Sequence, residues 1–314
     1  NHQASGAPLQ NTLKSEVVFL GKGLHSGKTV RMAVKPASAD YGIWFRRTDI
    51  LQGDAMIPAR WDAVVPSRLC TLVANAAGHS VSTIEHVMAA LAGCGIHNAL
   101  IEIDGPEVPI LDGSAVPFVT GFLNRGLRAQ TSAVRAIRVL QSVEVREGEA
   151  VARFDPSDML EIDFHIDFAE AAIGRQQKTL NMSNGAFVRE LCDSRTFCRQ
   201  IDVDTMRANG LALGGNLENA VVFEGDRVLS PGGLRHADEP VRHKMLDALG
   251  DLYLAGGPIL GRYTGLRAGH ALTNRLLRAL FAQHGAWDAV DCAAPTGRKL
   301  PGVGVVRSDI PVYC

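Results

Sequence analysis

Apolar and polar positions alternate along residues 13–20, 29–35, 41–47 and 98–103, a period of two that predicts strands with one buried face. The period then lengthens. Ser82-Thr83-Ile84-Glu85 has the Ser-x-x-Glu form of a capping box, and Val87, Met88 and Leu91 follow at helical spacing until Gly93-Cys94-Gly95, which predicts a helix. A second helix is expected after Asp112-Gly113-Ser114, with Val116, Phe118, Val119, Phe122 and Leu123 inward and a stop at Gly126. Several strands are expected over residues 134–166 and a helix over 185–192. Another helix opens at Asp238-Glu239-Pro240, where acidic residues and proline suit a helix N-terminus, and closes at Gly256-Gly257-Pro258. The last, over 271–282, buries Leu272, Leu276, Leu277 and Leu280. Each half therefore reads as strands followed by two helices.

A short echo links the halves. Glu85-His86-Val87-Met88 through Gly93 and Arg242-His243-Lys244-Met245 through Gly250 both fit x-His-x-Met-x4-Gly on a helix. The expected fold is α+β: two similar domains, each a sheet layered with helices, with the site between them. The expected units are residues 1–130, 131–285 and an aperiodic C-terminal tail, 286–314. The chain opens on Asn1 rather than Met, and its first dozen residues are expected to be an expression remnant or a trimmed terminus. No fused domain is expected beyond Cys314.

Composition narrows the function. Of 314 residues, 46% are hydrophobic and 21% charged, values of an ordinary globular protein. Lys+Arg 32 against Asp+Glu 33 gives a net charge of −1, without the basic excess expected for nucleic acid or anionic lipid. The most apolar stretch, residues 87–103, is interrupted by Gly93, Gly95, His97 and Asn98, so no membrane span is expected. Cys70, Cys94, Cys192, Cys198, Cys292 and Cys314 are scattered without a C-x-x-C, which suggests reduced thiols and a cytoplasmic location.

Three familiar motifs fail. Gly27-Lys28-Thr29 lacks the glycine a P-loop needs at position 22, which is Lys22, and the chain continues as strand. Gly-x-Ser-x-Gly and His-Glu-x-x-His are absent. One constellation survives. His243 and Asp247, at i and i+4, face the same way on a helix and can grip one cation; alone, they would more often be a surface pair. If the matching helix adds His86, the set becomes two histidines and one carboxylate, the ligand count of a catalytic zinc site. Glu85 is then either the closing residue of the capping box or a base beside the metal.

Ser82-Thr83-Ile84-Glu85-His86, Gly105-Pro106-Glu107-Val108-Pro109-Ile110-Leu111-Asp112-Gly113-Ser114-Ala115, Ser194-Arg195-Thr196-Phe197, Gly214-Gly215-Asn216, Val241-Arg242-His243-Lys244-Met245-Leu246-Asp247 and Gly269-His270-Ala271-Leu272 occur in this order. Over residues 12–285 the chain resembles the UDP-3-O-acyl-N-acetylglucosamine deacetylases, zinc amidases of lipid A synthesis. The resemblance implies His86, His243 and Asp247 as zinc ligands, Glu85 as general base and Thr196 on the oxyanion. It implies Lys244 as substrate-binding and His270 as general acid or electrostatic stabiliser, with Asp251 its partner. Phe168 matches a position packing on uracil, and Cys70 and Phe197 match the lining of an acyl-chain passage. The expected partner is a UDP-sugar carrying an acyl chain, with no nucleic acid, and the expected state is a monomer.

Two departures stand out: Ala169-Glu170-Ala171 where the family has a His-Pro pair, and Cys198 where it has Gly. His25 has the family's Gly-Leu-His-Ser-Gly context, compatible with a structural or a binding role. His79, His97, His165, His236 and His284 carry no chemical context. The rival from another class is a catalytically silent zinc or sugar-nucleotide binding module on the same fold, which would be expected to lose the base or the acid.

Overall fold

The computed structural model describes residues 8–312. The first half runs through β1 (Leu9–Leu13), β2 (Val17–Lys22), β3 (Thr29–Pro36), β4 (Ile43–Arg47), β5 (Met56–Pro58), β6 (Val64–Val65), β7 (Leu72–Ala74), β8 (Ser80–Ser82), α1 (Glu85–Cys94), β9 (Ala99–Ile103), α2 (Val116–Arg125) and β10 (Leu127–Ala133). The second runs through β11 (Arg135–Val139), β12 (Val143–Glu147), β13 (Ala150–Asp155), β14 (Leu160–Asp167), β15 (Arg175–Asn181), α3 (Ala186–Glu190), β16 (Phe197–Arg199), α4 (Gln200–Ala208), β17 (Val221–Glu224) and β18 (Arg227–Val228). It closes with α5 (Glu239–Leu252), β19 (Ile259–Leu266), α6 (His270–Ala282), β20 (Trp287–Asp291) and α7 (Ala294–Gly297).

The fold is α+β, and its duplication is visible strand by strand. In the first sheet β9 lies between β3, antiparallel to it, and β4, parallel to it, with hairpin partners β2 and β5 outside. In the second, β19 lies between antiparallel β13 and parallel β14, flanked by β12 and β15. The central strand of each sheet follows the helix that carries the shared His-x-Met pattern. Each half thus contains the order strands, helix, strand, helix, with α3, β16, α4, β17 and β18 inserted before α5 in the second, and the expectation of strands followed by two helices is corrected there and at β19, which joins α5 to α6.

Helices α1 and α5 pack on each other, and α5 also lies against β14 and β15. All ten residues of α1 are buried, so an apolar stripe on one side would not suffice; Val87, Met88, Ala89, Ala90 and Leu91 are all 0% exposed. Burying side chains of the Val, Leu and Met type contributes about 1.5–3 kcal/mol each. The glycine of the echo has a packing reason. A Cβ on Gly250 would lie 2.1 Å from the Glu85 carbonyl oxygen, so only glycine lets α5 approach the start of α1 this closely.

Other expectations change at their ends. The strand expected over 13–20 is two strands, because Lys14-Ser15-Glu16 turns the chain: β1 pairs with β10 and β2 with β3. β1 also occupies part of the supposed terminal remnant; residues 1–7 lie outside those described. Ser82-x-x-Glu85 is not a capping box. Ser82 ends β8 with its hydroxyl donating to the Pro106 carbonyl at 3.2 Å, and α1 starts after Ile84 without a side-chain cap. Thr83, with φ 58°, turns the chain sharply between them. The segment after 286, expected as an aperiodic tail, supplies β20, which pairs antiparallel with β11 along five residue pairs, and buries Leu300. Pro295 and Gly297 lie in α7, and Gly302 and Gly304 in turns. The expected division at residue 130 falls inside β10.

Candidate active site

His86 is the second residue of α1, and His243 and Asp247 are one turn apart on α5. Their crossing brings all three together, each less than 9% exposed. Asp247 Oδ1 lies 3.3 Å from His86 Nε2 and 3.2 Å from His243 Nε2, and the two imidazoles meet edge to face with centroids 4.9 Å apart. Oδ1 is buried and has no hydrogen-bond partner. His243 Nδ1 donates to the Ser194 carbonyl at 2.8 Å, which turns Nε2 toward the site. Burial works to raise the Asp247 pKa, but His243 and His86 outweigh it and hold the carboxyl well below its usual range. Three ligand atoms converging from buried side chains, with an orphaned carboxylate oxygen among them, suit a cation better than a hydrogen-bond network.

The acid–base groups lie alongside. Glu85, 4% exposed, accepts a hydrogen bond from the Thr71 N–H on Oε2 at 3.0 Å, while Oε1 faces His270 Nε2 at 3.6 Å. His270 opens α6, and its Nδ1 is 2.6 Å from Asp251 Oδ2. Burial raises the Glu85 pKa against the opposing pull of His270 and His86. Burial pulls the His270 imidazolium down, but Asp251, Glu85 and Asp247 together push it up to about 10. One group that holds a proton therefore faces another that can take one, beside the candidate metal position.

A family model for UDP-3-O-acyl N-acetylglycosamine deacetylase matches residues 10–282. The chain belongs to this deacetylase family. It is 50% identical over 278 residues to the UDP-3-O-acyl-N-acetylglucosamine deacetylase of Phenylobacterium zucineum, covering 88% of this chain and 95% of that protein. The proteins of the same name from Shewanella woodyi and Pasteurella multocida are 47% and 44% identical, covering 94% and 93% of this chain and 98% and 97% of theirs. The resemblance drawn from the ordered motifs is borne out.

Beside the site of this deacetylase-family chain opens a cleft of about 850 Å³ whose walls include Phe168, Thr196, Phe197, Lys244, His243, Asp247 and His270. Phe168 and Phe197 meet edge to face at 5.5 Å, and Lys244 Nζ lies 5.8 Å from the Phe164 ring centroid. Leu211 and Leu217 join the apolar part of the wall beside α4. Cys70 is not on the wall: it is buried, with its thiol 3.5 Å from the Ser67 hydroxyl, and its neighbours Arg68 and Leu69 line the cleft. A second hollow of about 660 Å³, lined by residues of β1, β10 and the segment 297–307, carries no carboxylate, imidazole or thiol.

The departures from the deacetylase pattern have local partners. Glu170 accepts from Arg199 Nη1 at 3.3 Å, tying the loop after Phe168 to β16. Cys198 lines the cleft, with burial pushing its thiol up to about 11. Both His25 ring nitrogens are buried at the cleft wall without a partner. His97 Nδ1 accepts from the Asn11 N–H at 2.9 Å, and His165 and His236 sit 3.1 and 2.8 Å from Asp163 and Asp193; among the described residues none of the three belongs to a cluster that could hold a metal ion.

Two groups escaped sequence reading. Thr71 joins Glu85 to Asp251, a contact spanning 180 residues that no local spacing can signal. Glu239, 1% exposed, grips Arg195 through Nε at 2.9 Å and Nη2 at 3.1 Å, and also accepts the backbone N–H groups of Arg195 and Arg235. This pins the loop bearing Ser194 and Thr196 to the start of α5. Arg195→Met strands a buried carboxylate, so it is expected to lower unfolding free energy by about 3–5 kcal/mol in a denaturant titration. A loss below about 1 kcal/mol would show the pair to be no stronger than an exposed one.

Proposed function

We propose that the chain hydrolyses the acetamide of UDP-3-O-acyl-N-acetylglucosamine, giving acetate and UDP-3-O-acyl-glucosamine, the committed step of lipid A biosynthesis. The observation that carries this is the meeting, at one end of the cleft, of the His86–His243–Asp247 triad with Glu85 and the His270–Asp251 pair. The rival of a silent binding module has no support, since Glu85 and His270, the residues read as base and acid, are both present.

Zinc suits two imidazoles and one carboxylate, and held by His86, His243 and Asp247 it would supply Lewis acidity to the attacking water and the acetamide carbonyl. Glu85 Oε1 takes the water proton as the oxygen adds to the carbonyl carbon. The Thr196 hydroxyl donates to the developing oxyanion. His270 Nε2 gives a proton to the nitrogen as the C–N bond breaks, so that the amine leaves neutral; Asp251 on Nδ1 keeps the ring oriented and charged. Lys244 offers a cation to the nucleotide-sugar, Phe168 an aromatic surface to uracil, and Phe197 an apolar wall to the acyl chain, with Cys70 behind that wall.

We place this activity in the cytoplasm and in a monomer. The five described cysteines are free thiols, as a reducing compartment requires, while Cys314 lies outside the described residues. The cleft is lined within one chain. Among the described residues no helix is long and apolar enough to cross a membrane.

Mass spectrometry of UDP-3-O-acyl-N-acetylglucosamine after incubation is expected to show loss of one acetyl group, and metal analysis about one zinc per chain. His243→Ala should lower the zinc content. Full acetate release after exhaustive chelation would overturn the metal assignment, and an unchanged substrate mass would overturn the activity.

A further inference from the structure

Thr71 sits just before β7, 4% exposed, with its carbonyl accepting the Ile84 N–H at 3.3 Å. It is thereby tied to the start of the helix that carries Glu85 and His86. Its N–H donates to Glu85 Oε2 at 3.0 Å, and its hydroxyl donates to Asp251 Oδ1 at 2.5 Å. The remaining oxygens of both carboxylates face one imidazole: Asp251 Oδ2 lies 2.6 Å from His270 Nδ1, and Glu85 Oε1 lies 3.6 Å from His270 Nε2. The four residues close a ring in which each carboxylate has one oxygen on Thr71 and one on His270.

We propose that Thr71 is a positioning residue that sets the base and the acid of the reaction in one fixed relation. This rests on the deacetylase reading above. Its N–H occupies Glu85 Oε2 and leaves Oε1 as the oxygen available to water. Its hydroxyl fixes the rotamer of Asp251 through a charge-assisted hydrogen bond, and Asp251 in turn fixes the plane of the His270 ring and keeps its Nε2 aimed at the cleft. Without the hydroxyl, Asp251 Oδ1 is buried and unpaired, and the carboxylate is free to turn. The hydrogen bonds of Thr71 run to Glu85, Asp251 and Ile84 rather than to the three candidate metal ligands, so its effect falls on proton transfer rather than on metal or substrate binding.

Thr71→Val keeps the shape and removes the donor; Thr71→Ser keeps the donor and removes a methyl group. Thr71→Val is expected to lower kcat about 10–100-fold, the scale of lost outer-sphere partners, with KM and zinc content unchanged. Thr71→Ser should recover most of that loss. A second readout needs no substrate: the low-field proton resonance of His270 Nδ1–H, assigned by its absence in His270→Ala, should persist in Thr71→Ser and move or vanish in Thr71→Val. The proposal is overturned if Thr71→Val keeps both wild-type kcat and an unshifted resonance, or if the serine and valine variants fall alike. Loss confined to KM and melting temperature would also overturn it, since that is what a merely structural role gives. If wild type releases no acetate, the deacetylase reading fails instead, and the resonance still decides the contact.

Discussion

Glu85→Gln is expected to retain zinc and lose about 10²–10⁴ in kcat, the usual scale for a positioned proton-transfer group. The amide can still accept the Thr71 N–H on its oxygen, and the candidate metal ligands on α1 and α5 are untouched, so the loss would isolate the base. Burial raises the Glu85 pKa in the metal-free protein, and a zinc ion in the adjacent site would act against burial, so the acid limb of kcat/KM in the loaded enzyme should lie below the metal-free Glu85 value. Zinc analysis beside the rate measurement is the check. A variant that lost metal in proportion to activity would move Glu85 from the chemistry to the ligand set.

The acid half of the pair should fail in the opposite direction. His270→Ala is expected to lose a similar factor, about 10²–10⁴, and to flatten the alkaline limb while leaving the acid limb in place. His270 serves while protonated, so activity falls as pH rises through its pKa. Burial lowers that pKa, yet Asp251, Glu85 and Asp247 raise it to about 10 in the metal-free protein. A zinc ion in the adjacent site acts with burial, so the limb of the loaded enzyme should lie below that value. The two limbs belong to a coupled system, and the apparent values describe it as a whole. An unchanged bell in the His270→Ala enzyme would assign the alkaline limb to another group and leave His270 a binding role.

What could be read from the sequence was whatever local spacing encodes. His243 and Asp247 are one helical turn apart, and the repeated His-x-Met-x4-Gly pattern pointed to His86. The strands with one apolar face, such as β3 and β9, were legible for the same reason. β15 was not, because its residues run Arg175-Gln176-Gln177-Lys178-Thr179-Leu180-Asn181 with hardly an apolar position. β19 hid behind Gly256-Gly257-Pro258 and its own Gly261 and Gly265, which resemble turn residues although the strand is the centre of its sheet. The Ser82-x-x-Glu85 signal misled for a physical reason: the carboxylate that would close a capping box is drawn instead to the Thr71 N–H. Thr71 and Glu239 depend on partners far away in the chain, and only folding reveals them.

The placement of the candidate ligands on α1 and α5, one helix from each repeat, would make metal loading and the docking of the two halves a single equilibrium. A cation that binds the docked arrangement and not the separated one tightens the docking by the same factor by which docking tightens its own binding. Neither repeat alone holds the full set. Stripping the ion would therefore loosen the seam at the middle of the molecule, and any ligand that pries α5 from α1 would shed the ion without ever touching it.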